Sequence, residues 1–295
     1  MSSVDSPPST LRPAPAALLD LGLDVAREAG ALLVTGRAGT VAAEATKSSP
    51  TDVVTALDRA SEALVARRLR AARPDDGLLG EEGSDTAGTS GVRWIVDPLD
   101  GTVNFLYRLP NWAVSIAAEL DGEIVAGVVH APAMGVTYTA VRGGGAFHRE
   151  TPVGSAAGEP ARLTASTVTE LGGALVATGF GYTERRRATQ AAVLTRVAPR
   201  VRDIRRMGAA SLDLCAAAAG LVDAYYERGL HPWDHAAGAL IAAEAGLLVG
   251  GLDGRGAGED LVVAAPPALF APLTALLAQH PRADTDQGTP AVTGE

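Results

Sequence analysis

The stretch Asp97-Pro-Leu-Asp-Gly-Thr-Val-Asn-Phe105 follows directly on Val92-Arg-Trp-Ile-Val96. The apolar run predicts a buried strand that ends at Val96, with Asp97 and Asp100 at its exit, where sites are commonly built. Pro98 fixes its own φ and biases Asp97 toward an extended conformation. The two carboxylates can then turn toward a common point, with the Leu99 carbonyl between them as a third oxygen. Gly101 lets the backbone approach a ligand closely, and the amides of Gly101 and Thr102 can point at an anion. The Thr102 hydroxyl lies beside them.

Two carboxylates this close repel each other, and one is driven to protonate unless a cation separates them. A hard divalent ion removes the conflict; with no soft ligands nearby, Mg²⁺ is the first candidate and Mn²⁺ the next. The bland alternative is an Asp-rich turn that caps a helix. Three further features bear on it. Leu78-Leu79 precedes Gly80-Glu81-Glu82-Gly83, which sets Glu81 at a second strand end, while Glu82 reads as a charged loop residue. His231-Pro-Trp-Asp234 introduces a helix of small apolar residues, where Asp234 either caps the first turn or ligates a metal. Asp58, in Thr55-Ala-Leu-Asp58, falls on the polar side of a helix and by itself reads as a solvated charge.

Working outward, helical spacing predicts a first helix through Leu18, Val25, Ala29 and Leu33 to about Gly36, and a second from Val53 to before Pro74. A polar connector, residues 47–52, joins them. Runs at 112–120 and 123–131, joined at Asp121-Gly122, predict a hairpin, and 136–142 a further strand before Gly143-Gly-Gly145. The second half alternates: strands at 173–178, 201–206, 221–227 and 261–264, helices at 184–198, 209–219, 233–246 and 267–278. This is a layered α/β (α+β) pattern. The expected organisation is an N-terminal half over 16–155 and a C-terminal half over 156–280, with a seam near 150–165 and mobile tails at 1–15 and 281–295.

The chain has 295 residues and a formal charge of −9, which disfavours a direct nucleic-acid surface. Arg185, Arg186, Arg187, Arg200, Arg202, Arg205 and Arg206 form the one basic cluster and are expected on solvated faces, with an anionic-substrate or partner patch as the alternative. No apolar stretch approaches the roughly 20 residues of a membrane span. The N-terminus lacks a basic start followed by an apolar segment, so no secretory signal is read there. The single cysteine, Cys215, excludes an intramolecular disulfide, suits a reducing cytosol and reads as a small core residue. The expected setting is cytoplasmic.

Six segments in this order, KSSPTDVVTALD (47–58), LGEEG (79–83), WIVDPLDGTVNF (94–105), GAASLDLC (208–215), DAYYERG (223–229) and WDHAAGALIAAEAG (233–246), resemble the inositol monophosphatases, and most closely their bacterial SuhB-like branch. The resemblance runs over about residues 20–270. It places the chain among Mg²⁺-dependent, lithium-sensitive phosphatases that include fructose bisphosphatases. It implies an α-β-α-β-α layered sandwich, a homodimer and two to three Mg²⁺ ions, acting on a small phosphorylated polyol such as inositol 1-phosphate. Glu81, Asp97 and the Leu99 carbonyl would hold the first ion; Asp97, Asp100 and Asp234 the second; Glu81 with waters the third. The amides of Gly101 and Thr102 would meet the phosphate. Gly208, Ala209, Ala210 and Glu227 would line the sugar side, with Glu227 accepting from ring hydroxyls, and Asp100 and Asp234 would also contact substrate. Glu81 and the Asp58–Thr102 pair would orient water and accept its proton. The chain departs from the family pattern at Ala209, where many relatives carry Ser or Thr, and at Gly250-Gly251. Those departures touch substrate preference, so histidinol phosphate or another small sugar phosphate is the alternative substrate. No second basic phosphate pocket is evident, and a purely regulatory role is the non-catalytic alternative.

Overall fold

A computed structural model describes residues 12–38, 45–46, 53–151 and 158–278. Most of the two expected tails, the connector 47–52 and part of the expected seam lie outside the described residues. Helix α1 (Pro15–Arg37) starts on a proline, whose missing N–H costs nothing at a first helical position. Two short strands follow, β1 (Ala45–Thr46) and β2 (Val53–Val54), paired antiparallel, and then α2 (Ala56–Ala72).

The main sheet begins with β3 (Gly77–Gly80), β4 (Asp85–Thr86) and β5 (Val92–Asp100), after which a single turn, α3 (Thr102–Leu106), leads into β6 (Ala113–Leu120). The meander β7 (Glu123–Ala131), β8 (Val136–Val141), β9 (Gly145–Glu150) and β10 (Ala161–Arg162) completes it. Its eight strands lie in the order β10-β9-β8-β7-β6-β5-β3-β4, antiparallel except for β3 beside β5.

The later elements are β11 (Leu175–Thr178), α4 (Glu184–Val197), β12 (Asp203–Arg205), α5 (Ala210–Ala218), β13 (Ala224–Glu227) and α6 (Pro232–Glu244). They end with β14 (Leu248–Gly250), β15 (Val262–Ala265) and α7 (Pro267–Ala278). The second sheet has the order β12-β11-β13-β15-β14, with β11 parallel to both of its neighbours.

Alternation along the strands separates three apolar layers. In β5, Trp94 and Val96 pack with Val25, Ala29 and Leu33 of α1 and with Val65 and Leu69 of α2. Ile95, between them, joins the opposite core with Leu214 and Cys215 of α5 and Ile241 of α6. That core is closed from the far side by Ala177, Tyr225, Val262 and Ala264 of the second sheet. Their alternate neighbours Val176, Tyr226 and Val263 meet Val193 and Val197 of α4 and Leu269 and Leu273 of α7. The result is the expected α-β-α-β-α sandwich. A strand covered on both faces reads as a continuous apolar run, and Trp94-Ile95-Val96 is such a run.

Several boundaries depart from the sequence reading. The second helix does not begin at Val53. Val53 and Val54 are β-branched and pair as a strand, and Thr55 caps the helix, its hydroxyl accepting from the Leu57 and Asp58 amides. The strand expected to stop at Val96 continues to Asp100 with one residue more than its partner, since Asp97 pairs with Ser115 and Asp100 with Ala113. Such a bulge re-aims side chains at a strand end. No element was assigned after Gly143-Gly-Gly145, and Gly145–Glu150 forms β9. Residues Leu171–Gly173 make a short 3-10 turn, so the strand expected from 173 begins at Leu175. The strand expected from 221 begins at Ala224, and Leu221 is exposed.

Because α5 and α6 are shared by both sheets, their contacts should dominate stability. Ile241→Ala, at a wholly buried position, should cost about 2–5 kcal/mol in denaturant unfolding. Leu221→Ala, at an exposed one, should stay within about 0.5 kcal/mol.

Candidate metal centre and substrate cleft

The parallel pairing of β3 with β5 sets Gly80 beside Val96, and the Glu81 amide donates to the Val96 carbonyl at 3.2 Å. Glu81 is thereby brought against Asp97. The turn is held from below by Glu62 of α2, whose carboxylate accepts from the amides of Glu82 at 2.7 Å and Ser84 at 2.9 Å. A Cβ on Gly80 would fall 2.5 Å from Glu62 Oε2, so this approach requires glycine.

Asp97 is 2% exposed, and its Oδ1 accepts from the Leu99 amide at 3.0 Å. The Leu99 carbonyl accepts from the Thr102 hydroxyl at 3.1 Å. Asp100 is gripped by the first turn of α5, its Oδ2 accepting from both the amide and the hydroxyl of Ser211. Asp234 sits in the first turn of α6, where it accepts from the His231 amide at 2.6 Å. It therefore caps its helix and also opens on the cleft that Glu81 and Asp100 line.

Asp58 corrects the reading of a solvated charge, for it is buried at 1% exposure. A capping box with Thr55 turns its carboxylate inward, and its Oδ1 accepts from the Thr102 hydroxyl at 2.9 Å. Gly101 joins this group to α3 in the left-handed region (φ 89°), where a Cβ would meet the Asn111 carbonyl at 2.8 Å.

Burial is the first cause that raises the Asp97 carboxyl well above the ordinary range, followed by the charges of Glu81, Asp100 and Asp234 and a carboxyl–carboxyl hydrogen bond with Glu81. Asp234 is raised well above it by burial and then by Glu81 and Asp100. Asp100 is raised by burial, against the lowering effect of its bonds to Ser211 and the Ala210 backbone. Each acid therefore feels the others' field. Among the described residues no three Asp, Glu, His or Cys side chains form a closed metal cage. Glu81, Asp100 and Asp234 line one cleft with Asp97 buried against Glu81, and bringing their oxygens onto one point requires a counter-charge. The donors are hard oxygens without histidine or cysteine, so the residues fit Mg²⁺ or Mn²⁺.

Opposite the acids, a cleft of about 410 Å³ is walled by Gly208, Ala209, Ala210 and Glu227. The Tyr225 hydroxyl donates to Glu227 at 2.7 Å, and burial pushes the Glu227 carboxyl up to about 7. Two arginines of the cluster expected on solvated faces, Arg186 and Arg206, also line this wall. Arg186 lies on α4 and Arg206 in the approach to α5.

A profile of the inositol monophosphatase family matches residues 16–282. The chain belongs to that family. It is 47% identical over 249 residues to an inositol-1-monophosphatase of Mycobacterium leprae, covering 82% of this chain and 83% of the relative. It is 38% identical to the protein named Nus factor SuhB in Escherichia coli K12, covering 80% of this chain and 86% of that one. The crystal structure of the extragenic suppressor protein SuhB from Bartonella henselae superposes with a TM-score of 0.80 at 35% identity, over 89% of this chain and 99% of that one.

Sequence reasoning missed Glu62, Asn104 and Ser211. Glu62 lies four residues after Asp58 on the same inward helix face, which was a readable signal. The Asn104 side-chain amide donates to the Asn111 and Met207 carbonyls at 2.7 and 2.9 Å, tying α3 to the loop before α5. Nothing local announces that long-range contact.

A carboxyl raised by folding binds more protons in the folded than in the unfolded state, so its stabilising contribution is lost as pH rises above the unfolded value near 3.8. Chelator-treated protein should therefore lose thermal stability as pH is raised above that value, and saturating Mg²⁺ should restore more of it at the upper end of the range. Equal melting temperatures for chelated protein across that range would contradict the electrostatic reading.

Proposed function

We propose that this protein is a Mg²⁺-dependent phosphomonoesterase that hydrolyses myo-inositol 1-phosphate to inositol and phosphate. Family membership makes the chain an inositol-phosphate phosphatase. The finer reading rests chiefly on one observation: Glu81, Asp97, Asp100 and Asp234 feel one another's charge beside a cleft whose other wall carries Glu227. When bound, the ions would offset phosphate charge, lower the pKa of water and stabilise the leaving alkoxide.

Glu81, Asp97 and the Leu99 carbonyl would hold the first ion, Asp97, Asp100 and Asp234 the second, and Glu81 with waters the third. The phosphate would meet the amides of Gly101 and Thr102. The Thr102 hydroxyl donates to Asp58, so its oxygen can accept a hydrogen bond from the attacking water and take up that water's proton as its own passes to the Asp58 carboxylate. Asp58 keeps that orientation because its other oxygen is held by the Thr55 amide at 2.9 Å. Glu227 and the backbone of Gly208 to Ala210 would meet the ring hydroxyls. Uncatalysed monoester hydrolysis is extremely slow, so positioning and charge neutralisation must supply most of the rate.

The cleft also favours a second reading. Arg186 and Arg206 suit a sugar phosphate with another anionic group and disfavour the cationic side chain of histidinol phosphate. The name of the Escherichia coli relative raises a regulatory role, but the full set of acids argues that catalysis is retained. A homodimer in the cytosol, inhibited by lithium, completes the proposal.

Phosphate release should require Mg²⁺ and be fastest with inositol 1-phosphate in a panel including histidinol phosphate and fructose bisphosphate. Release from none of them would reject the enzymatic reading. Asp97→Asn should lower turnover by orders of magnitude. Thr102→Ala should lower kcat by about 10²–10⁴-fold, with Thr102→Ser close to wild type.

A further inference from the structure

Asp100 stands where the larger sheet meets the middle helical layer, on the last residue of β5 and against the first turn of α5. Its partner there, Ser211, is wholly buried. The Ser211 amide donates to Asp100 Oδ2 at 2.8 Å, and the Ser211 hydroxyl donates to the same oxygen at 2.5 Å. Two donors on one oxygen fix the rotation of the carboxylate and leave Oδ1 outside that grip.

Any residue at 211 would supply the amide, but only a hydroxyl side chain supplies the second bond. Its neighbours Ala209 and Ala210 carry none. The site therefore lacks a hydroxyl at 209, where the family pattern would put one toward substrate, and has one at 211 that reaches an acid instead. A charge-assisted hydrogen bond of this kind is among the stronger ones.

We propose that Ser211 is a positioning residue, whose hydroxyl holds the Asp100 carboxylate in the orientation that receives a divalent cation. It acts through Asp100 and touches neither the substrate nor the ion. The proposal rests on the metal reading above, and the test separates the two.

Mn²⁺ binding to the purified full chain, without substrate, is measured by calorimetry and by electron paramagnetic resonance for wild type, Ser211→Ala, Asp100→Asn, the double variant and Ser166→Ala. Ser166 is the control because its hydroxyl donates to Asp223 in another hydroxyl–carboxylate pair that has no part in the cleft. Ser211→Ala should weaken Mn²⁺ binding about 10- to 100-fold, as loss of an outer contact to a ligand does elsewhere. It should weaken it no further in the Asp100→Asn background, and Ser166→Ala should bind as wild type does. Wild-type affinity in Ser211→Ala, a loss that adds to that of Asp100→Asn, or an equal loss in Ser166→Ala overturns the inference. Failure of the wild type to bind Mn²⁺ overturns the metal reading itself, and the inference with it. Should Ser211→Ala not fold, Ser211→Cys keeps the size with a weaker donor and is judged by the same outcomes.

Discussion

The structure is organised around the cost of burying like charges. Asp97 and Asp100, buried at the end of β5, lie in the same electrostatic field as Glu81 and Asp234. Desolvation and mutual repulsion both act against their ionised forms. A fold tolerates this only when the acids are held by elements that cannot relax separately, and here the four hang on three different ones. Glu81 follows β3, Asp97 and Asp100 lie on a bulge of β5, and Asp234 lies in the first turn of α6. The neighbouring contacts restrain those ends further: Glu62 under the Glu81 turn, Ser211 on Asp100, and the His231 amide on Asp234.

This explains why the middle helical layer matters for function. Helices α5 and α6 pack into the core shared by both sheets, and their N-termini deliver Ser211 and Asp234 to the site. Asn104 ties the turn after the bulge to the loop before α5. One half of the cleft is thus framed by the larger sheet and the other by the smaller, with α5 and α6 setting the distance between them.

Much of this was legible in the chain. The apolar run Trp94-Ile95-Val96 required a strand covered on both faces, and the period-2 split of Trp94 and Val96 from Ile95 carries that out. The acids could be singled out because Pro98 and Gly101 frame Asp97 and Asp100, and because Asp234 introduces an apolar helix. Asp58 was misread for a physical reason: a carboxylate on a helix is solvated by default, and only the capping box with Thr55 turns it inward. Val53 and Val54 continue an apolar periodicity, yet the cap at Thr55 stops the helix short of them. Ser211, Asn104 and the two cleft arginines owe their roles to contacts made across the fold, which local pattern cannot carry.

Anomalous scattering from crystals grown or soaked in Mn²⁺ tests the central claim most directly. The account predicts manganese peaks enclosed by the carboxylates of Glu81, Asp97, Asp100 and Asp234 and the Leu99 carbonyl. A well-ordered site in such crystals with no manganese among those oxygens would contradict it.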